Sequence, residues 1–201
     1  MKLYYSPGAC SLSPHIVLRE AGHKFDLEQV DLGAKKTKSG ADYLKVNPKG
    51  YVPALQLDSG EVLTEGPAIV QYLADKKPDA KLAPANGSLE RYKLQEWLNF
   101  TTSEMHKRMG DLFNDKLPDQ AKEMLRDSLR NRLKYLDDHL GKNDFIMGKS
   151  FTVVDAYMFT VLGWGQYVGV DVNAYPKVKA YLGRVGSRPK VKEALAAEGL
   201  S

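Results

Sequence analysis

The single cysteine of this chain stands in "YYSPGACSLSPH" (Tyr4 to His15), between an alternating apolar run and a Ser/Pro-rich helix start. A sulfur anion is favoured where a helix begins, because unpaired backbone N–H groups and the positive end of the dipole stabilise it. A small residue filling a turn would sit there equally well. "LTEGPAI" places Glu65 and Gly66 at another helix start. Its free N–H groups suit a carboxylate while Glu65 can hold an ammonium, a combination that fits an α-amino acid. Ordinary capping puts Glu in the same place. In "NPKGYVPALQL", Pro53 cannot donate to a ladder, which leaves the backbone of Val52 open to another partner. That pattern fits an edge-strand proline, or a cis-proline beside an extended ligand. Finally, Asn99, Ser103 and His106 fall on one narrow helical stripe, opposite the largely apolar face of Leu94, Trp97, Leu98, Thr101 and Met105. Short hydrogen-bonding groups and an imidazole differ from the Glu/Lys/Arg mix of a solvated face; a merely polar face is the plain alternative.

Other chemistries are excluded residue by residue. "MGKS" (Met147 to Ser150) ends like a phosphate loop, but Asn143 stands where its first glycine belongs. The histidines form no i, i+4 pair, one cysteine cannot build a zinc cage, and no G-x-S-x-G elbow occurs, so no metal site is expected. The net charge is +4, yet the densest basic run, "AKKTKSG", has no aromatic residue beside it, which argues against nucleic acid. One cysteine suits a reducing compartment. With no secretory signal and no apolar run near the ~20 residues of a membrane helix, the expected location is cytoplasmic, with no membrane partner.

The positioning elements differ between the two halves. Residues 1 to about 75 read as β-α-β, a connection, then β-β-α: strand "KLYY", a Ser-capped helix from "SLSPH", strand "KFDLEQVDL", a hairpin turning at Asp58-Ser59-Gly60, and helix "EGPAIVQYLADK". That is the thioredoxin order. A Pro/Lys-rich linker follows, and then only helices: one long helix from Leu89, a second from Asp119, and a third opened by "FTVVDAY". Thr152 and Asp155 there form an S/T-x-x-D/E capping box, with Phe151 at the staple position. Two shorter helices close the chain. The expected division is 1–78, a linker at 79–86, and an all-helical domain over 87–201.

Taken together, "MKLYYSPGACSLSPHI", "VNPKGYVPALQL", "LTEGPAIVQYLAD", "EWLNFTTSEMHK", "FTVVDAY" and "RPKVKEALAAEGL" resemble a bacterial glutathione S-transferase of the beta class, closest in look to those of aromatic-pollutant degraders. The resemblance implies an α/β thioredoxin-like domain packed on an all-α domain, a homodimer, and glutathione as cosubstrate without a permanent cofactor. It implies conjugation of glutathione to small apolar electrophiles, with disulfide exchange or peroxidase activity as a second chemistry. Residue by residue, Cys10 matches the cysteine that forms a mixed disulfide with glutathione, Lys35 the glycyl end, Val52 the backbone partner of the cysteinyl unit ahead of cis-Pro53, and Glu65 and Gly66 the γ-glutamyl site. Asn99 and Ser103 match residues that reach across the dimer, and His106 and Lys107 residues that line the cleft. Ser11, His106 and Tyr5 join Cys10 as catalytic candidates. Gly66 departs from a common Ser, and Tyr51 from a common Gln or Asn. "CSLS" (Cys10 to Ser13) is also the C-x-x-S of a monothiol glutaredoxin, so a redox protein working through Cys10 stays an alternative, as does a non-catalytic ligandin-type binder.

Overall fold

A computed structural model describes residues 1–200. They divide into two compact units, Met1–Ala83 with Arg188–Ser201, and Pro84–Ser187. In the first, β1 (Lys2–Tyr5) leads through the Cys10 loop into α1 (Leu12–Glu20), then β2 (Asp26–Asp31), β3 (Lys36–Thr37), the hairpin β4 (Ala54–Gln56) and β5 (Val62–Thr64), and α2 (Gly66–Asp75). The sheet order is β3-β2-β1-β4-β5. β1 runs parallel to β2, in register at Leu3 and Leu27, and antiparallel to β4. The expected β-α-β and β-β-α order is present, with the two-residue β3 as an addition. Tyr4, Val30, Tyr43, Val52 and Ala54 form one buried cluster of this unit. Leu3, Ile16, Leu18, Leu55, Ile69 and Leu73 are also fully buried.

The last helix, α9 (Pro189–Ala197), packs on α1 and groups with the first unit. Three side-chain contacts fasten it. Arg188 forks onto the Glu20 carboxylate at 2.7 and 2.8 Å. Arg19 meets Glu193 at 3.4 Å. At the far end, the Glu198 carboxylate lies 2.7 Å from His15 Nδ1, with both side chains fully buried. Its other oxygen accepts the Gly8 N–H at 3.0 Å. Arg19 Nε, which can only donate, donates to His15 Nε2 at 2.9 Å. The His15 proton therefore sits on Nδ1 and points at Glu198.

The second unit is helical: α3 (Leu89–Phe100), a π-helical segment (Thr101–His106), α4 (Lys107–Asp111), α5 (Asp119–Leu140), α6 (Val153–Leu162), α7 (Gly165–Val168) and α8 (Pro176–Gly186). The apolar face read from the long helix is buried at Leu94, Leu98, Thr101 and Met105. None of the described helices is long and apolar enough to cross a membrane. The capping box at the start of α6 is present, with Asp155 accepting the Thr152 N–H at 2.7 Å and the Thr152 hydroxyl at 3.1 Å. Asp155 does more than cap. It also accepts the Ile146 N–H at 2.8 Å and the Tyr181 hydroxyl at 3.2 Å, tying a loop and α8 to the helix start. Burial pushes its carboxyl up to about 6 despite these bonds.

Thr152→Ala is expected to destabilise by about 1 kcal/mol, an ordinary cap loss. Asp155→Ala leaves several buried donors unpaired and should cost at least about 3 kcal/mol. Equal losses for the two variants in denaturant titrations would show that Asp155 is only a cap.

Candidate functional site

In the first unit the sulfur of Cys10 meets the backbone ahead of β4. Its Sγ lies 3.1 Å from the Val52 carbonyl oxygen, to which it donates its proton. The Val52–Pro53 peptide is cis. Tyr51, largely exposed, has its own carbonyl held by the Tyr43 hydroxyl and the Asn47 amide, both at 2.7 Å. Lys35 closes this edge: its Nζ donates to the Gly50 carbonyl at 2.9 Å and sits 5.6 Å from the centre of the Tyr51 ring.

The thiol state follows from its surroundings. Burial pushes the Cys10 thiol up to about 12, and the negative charge of Glu65 pushes the same way. The backbone N–H groups of Cys10 and Ser11 pull it down without offsetting that loss of water. The helix start alone was expected to favour an anion; at Cys10 desolvation wins. In this arrangement the Cys10 sulfur donates to the Val52 carbonyl, and its surroundings favour the protonated thiol.

Ser11, a catalytic candidate from the sequence, lies inside its own loop. It is fully buried, its hydroxyl donates to the Ser6 carbonyl at 3.2 Å and accepts the Ser6 N–H at 3.1 Å, and it makes no side-chain cap on α1. Its role is to close the loop that carries Cys10, with Gly8 supplying the left-handed turn (φ 71°) that L side chains avoid. Tyr5 is also buried, and that burial, with Glu198 and Glu28 nearby, raises its phenol.

Glu65 and Gly66 stand at the start of α2 as expected. Glu65 caps the helix with φ 69°, and its carboxylate takes Lys49 Nζ at 2.5 Å. Lys49, which also donates to Thr64 Oγ1 at 3.0 Å, was missed in the sequence, where it reads as one more surface lysine. Among the described residues, only Lys35, Glu65 and Lys81 are non-glycine positions with positive φ. Such backbone costs on the order of 1–3 kcal/mol and gathers at functional sites. Two of the three are positions singled out from the sequence.

In the second unit the expected stripe splits. Asn99 and Ser103 are exposed, and the Ser103 hydroxyl bonds back to the Asn99 carbonyl at 3.0 Å. His106 turns to α6, with Nδ1 2.5 Å from the Tyr157 hydroxyl and its ring edge-on to Trp164 at 4.9 Å. Lys107 is exposed and paired with Asp111 at 3.0 Å. The π segment separates the stripe, because each i→i+5 bond makes the helix turn more slowly than an α-helix. A local signal exists. Thr101, Thr102 and Ser103 are three consecutive hydroxyls, each donating to the carbonyl four residues back, a habit that loosens helices.

Residues 8–76 match the N-terminal domain model of glutathione S-transferases, and residues 103–198 the C-terminal one. The chain is 48% identical to glutathione S-transferase GstA of Escherichia coli O157:H7, over the full length of both. The chain belongs to the glutathione S-transferase family. Among solved structures, the ternary complex of BphK, a bacterial glutathione S-transferase, superposes with a TM-score of 0.98 at 58% identity, covering both chains fully. A beta-class glutathione S-transferase from Sphingomonas chungbukensis gives 0.96 at 52%, again over both full chains. The beta-class resemblance and the thioredoxin-like plus helical fold therefore stand.

A prediction follows for the thiol. At neutral pH the thiolate fraction of Cys10 should lie about three orders of magnitude below that of a free cysteine, and its higher basicity returns about half of that on a logarithmic scale. Iodoacetamide should alkylate it about fiftyfold more slowly than free cysteine, with the rate still climbing beyond about pH 10. A plateau near neutral pH would contradict the donor assignment.

Proposed function

We propose that this glutathione transferase attacks an electrophilic carbon of a small apolar substrate with the glutathione thiolate, as a cytoplasmic homodimer. What carries the reading is the meeting of the Val52 carbonyl and the start of α1 at the Cys10 sulfur. An extended tripeptide laid along that edge has its γ-glutamyl group at Glu65 and Gly66, its cysteinyl backbone at Val52 and Pro53, and its glycyl carboxylate at Lys35. Its sulfur then lies beside the Cys10 S–H. His106 and Lys107, and Asn99 and Ser103 at the dimer, keep the roles the family resemblance implies. The dimer itself is read by sedimentation: a monomer alone at micromolar concentration would refute it.

Glutathione arrives with an ordinary thiol, about 3% ionised at pH 7, and lowering it by about two units takes roughly 2.7 kcal/mol. A protonated Cys10 can turn its one S–H from the Val52 carbonyl to the incoming sulfur once the cosubstrate's backbone takes that carbonyl, and the backbone N–H groups at the start of α1 can supply other donors. Disulfide exchange through Cys10 is not favoured, because its nucleophile would have to be the thiolate that burial suppresses.

Cys10→Ala should therefore keep aryl-halide conjugation within about tenfold of wild type, the worth of one lost donor. Abolished conjugation with glutathione affinity intact would instead make Cys10 the nucleophile.

Gly66 leaves room: a Cβ built there meets nothing nearer than Ser13 Oγ at 4.0 Å. Gly66→Ser should fold normally and lower the KM for glutathione by about two- to tenfold, by adding one hydroxyl at the helix start. An unchanged KM would remove the γ-glutamyl group from this position.

A further inference from the structure

His106 enters α6's neighbourhood through one nitrogen, and the hydrogen bonds around that contact have a direction. Tyr157 is buried, one of nine buried residues along α6. Its hydroxyl oxygen lies 2.5 Å from His106 Nδ1 and 3.5 Å from Thr102 Oγ1. Thr102 has a single hydroxyl proton, and the Leu98 carbonyl takes it at 2.9 Å. The Tyr157 proton then has two acceptors in reach, the Thr102 oxygen at 3.5 Å and the Nδ1 nitrogen at 2.5 Å, and the nearer, more basic nitrogen takes it. A neutral imidazole that accepts at Nδ1 carries its own proton on Nε2.

We infer that Tyr157 is a positioning residue that locks His106 as the Nε2–H tautomer, so that the imidazole presents a donor. The inference rests on the reading above, in which His106 serves the glutathione sulfur, and it sharpens that role. An imidazole with a lone pair on Nε2 would act as a base toward the thiol. One with Nε2–H cannot, and stabilises the thiolate once formed. Trp164, edge-on to the ring, and the π segment that carries His106 hold the ring plane while Tyr157 sets the proton.

The test uses the full-length protein in two measurements. Proton–nitrogen NMR correlations of the histidine ring, taken well above the imidazole titration range and assigned with His106→Asn, should show His106 as Nε2–H in wild type. In Tyr157→Phe, which keeps the buried ring, the signal should become a mixture of tautomers. Aryl-halide conjugation in Tyr157→Phe should fall about tenfold in kcat with the KM for glutathione unchanged, the rate equivalent of one hydrogen bond. The same substitution should have no further effect in a His106→Asn background. A wild-type Nδ1–H signal, or a tautomer unmoved by Tyr157→Phe, overturns the inference. The expected NMR change with conjugation unaltered supports the tautomer lock and instead overturns the role given to His106 in the reaction.

Discussion

The first unit depends on one buried carboxylate. Glu198, just past the last helix, accepts from His15 in the middle of α1 and from Gly8 in the loop before it. Arg19, which can only donate, sets the direction of the His15–Glu198 bond. With both partners out of water, removing either leaves the other buried and unmatched, a loss of about 1–3 kcal/mol, larger where the carboxylate is the group left behind. The loop from Ser6 to Cys10 is thus held twice, from outside by Glu198 and from within by the Ser11 hydroxyl. Where the Cys10 sulfur points is a result of those anchors as much as of its own helix.

The same loop shows why a helix start does not by itself make a reactive cysteine. Two backbone N–H groups lower the thiol, but the protein around it excludes water, and Glu65 adds negative charge. The balance raises the thiol to about 12. The strained backbone of Lys35 and Glu65 lies in the same unit.

Much of this was legible in the residues because the signals are local. Strand alternation, the Asp58-Ser59-Gly60 turn and the Thr152/Asp155 box each act within a few positions, and each is found in place. What escaped is long-range. His15 and Glu198 are 183 positions apart, so nothing in "AEGL" announces a partner in α1. Lys49 finds Glu65 only after the sheet has formed. Ser11 has the type and position of a catalytic candidate, and only tertiary packing shows its hydroxyl bonded back to Ser6. The positions along the proposed glutathione edge follow from family resemblance, while their hydrogen bonds follow from the fold.

The π segment has a consequence for how this helix can evolve. A surplus residue in a helix is normally shed without harm, since the straight form satisfies its backbone better. Removing one residue from Thr101–His106 would restore the ordinary ladder here too. It would also rotate everything before it against everything after, by about 100°. Asn99 and Ser103 would then no longer face outward while His106 reaches Tyr157. The irregular turn works as a phase shifter that lets one continuous rod address two directions, so a deletion that looks like a repair would separate them.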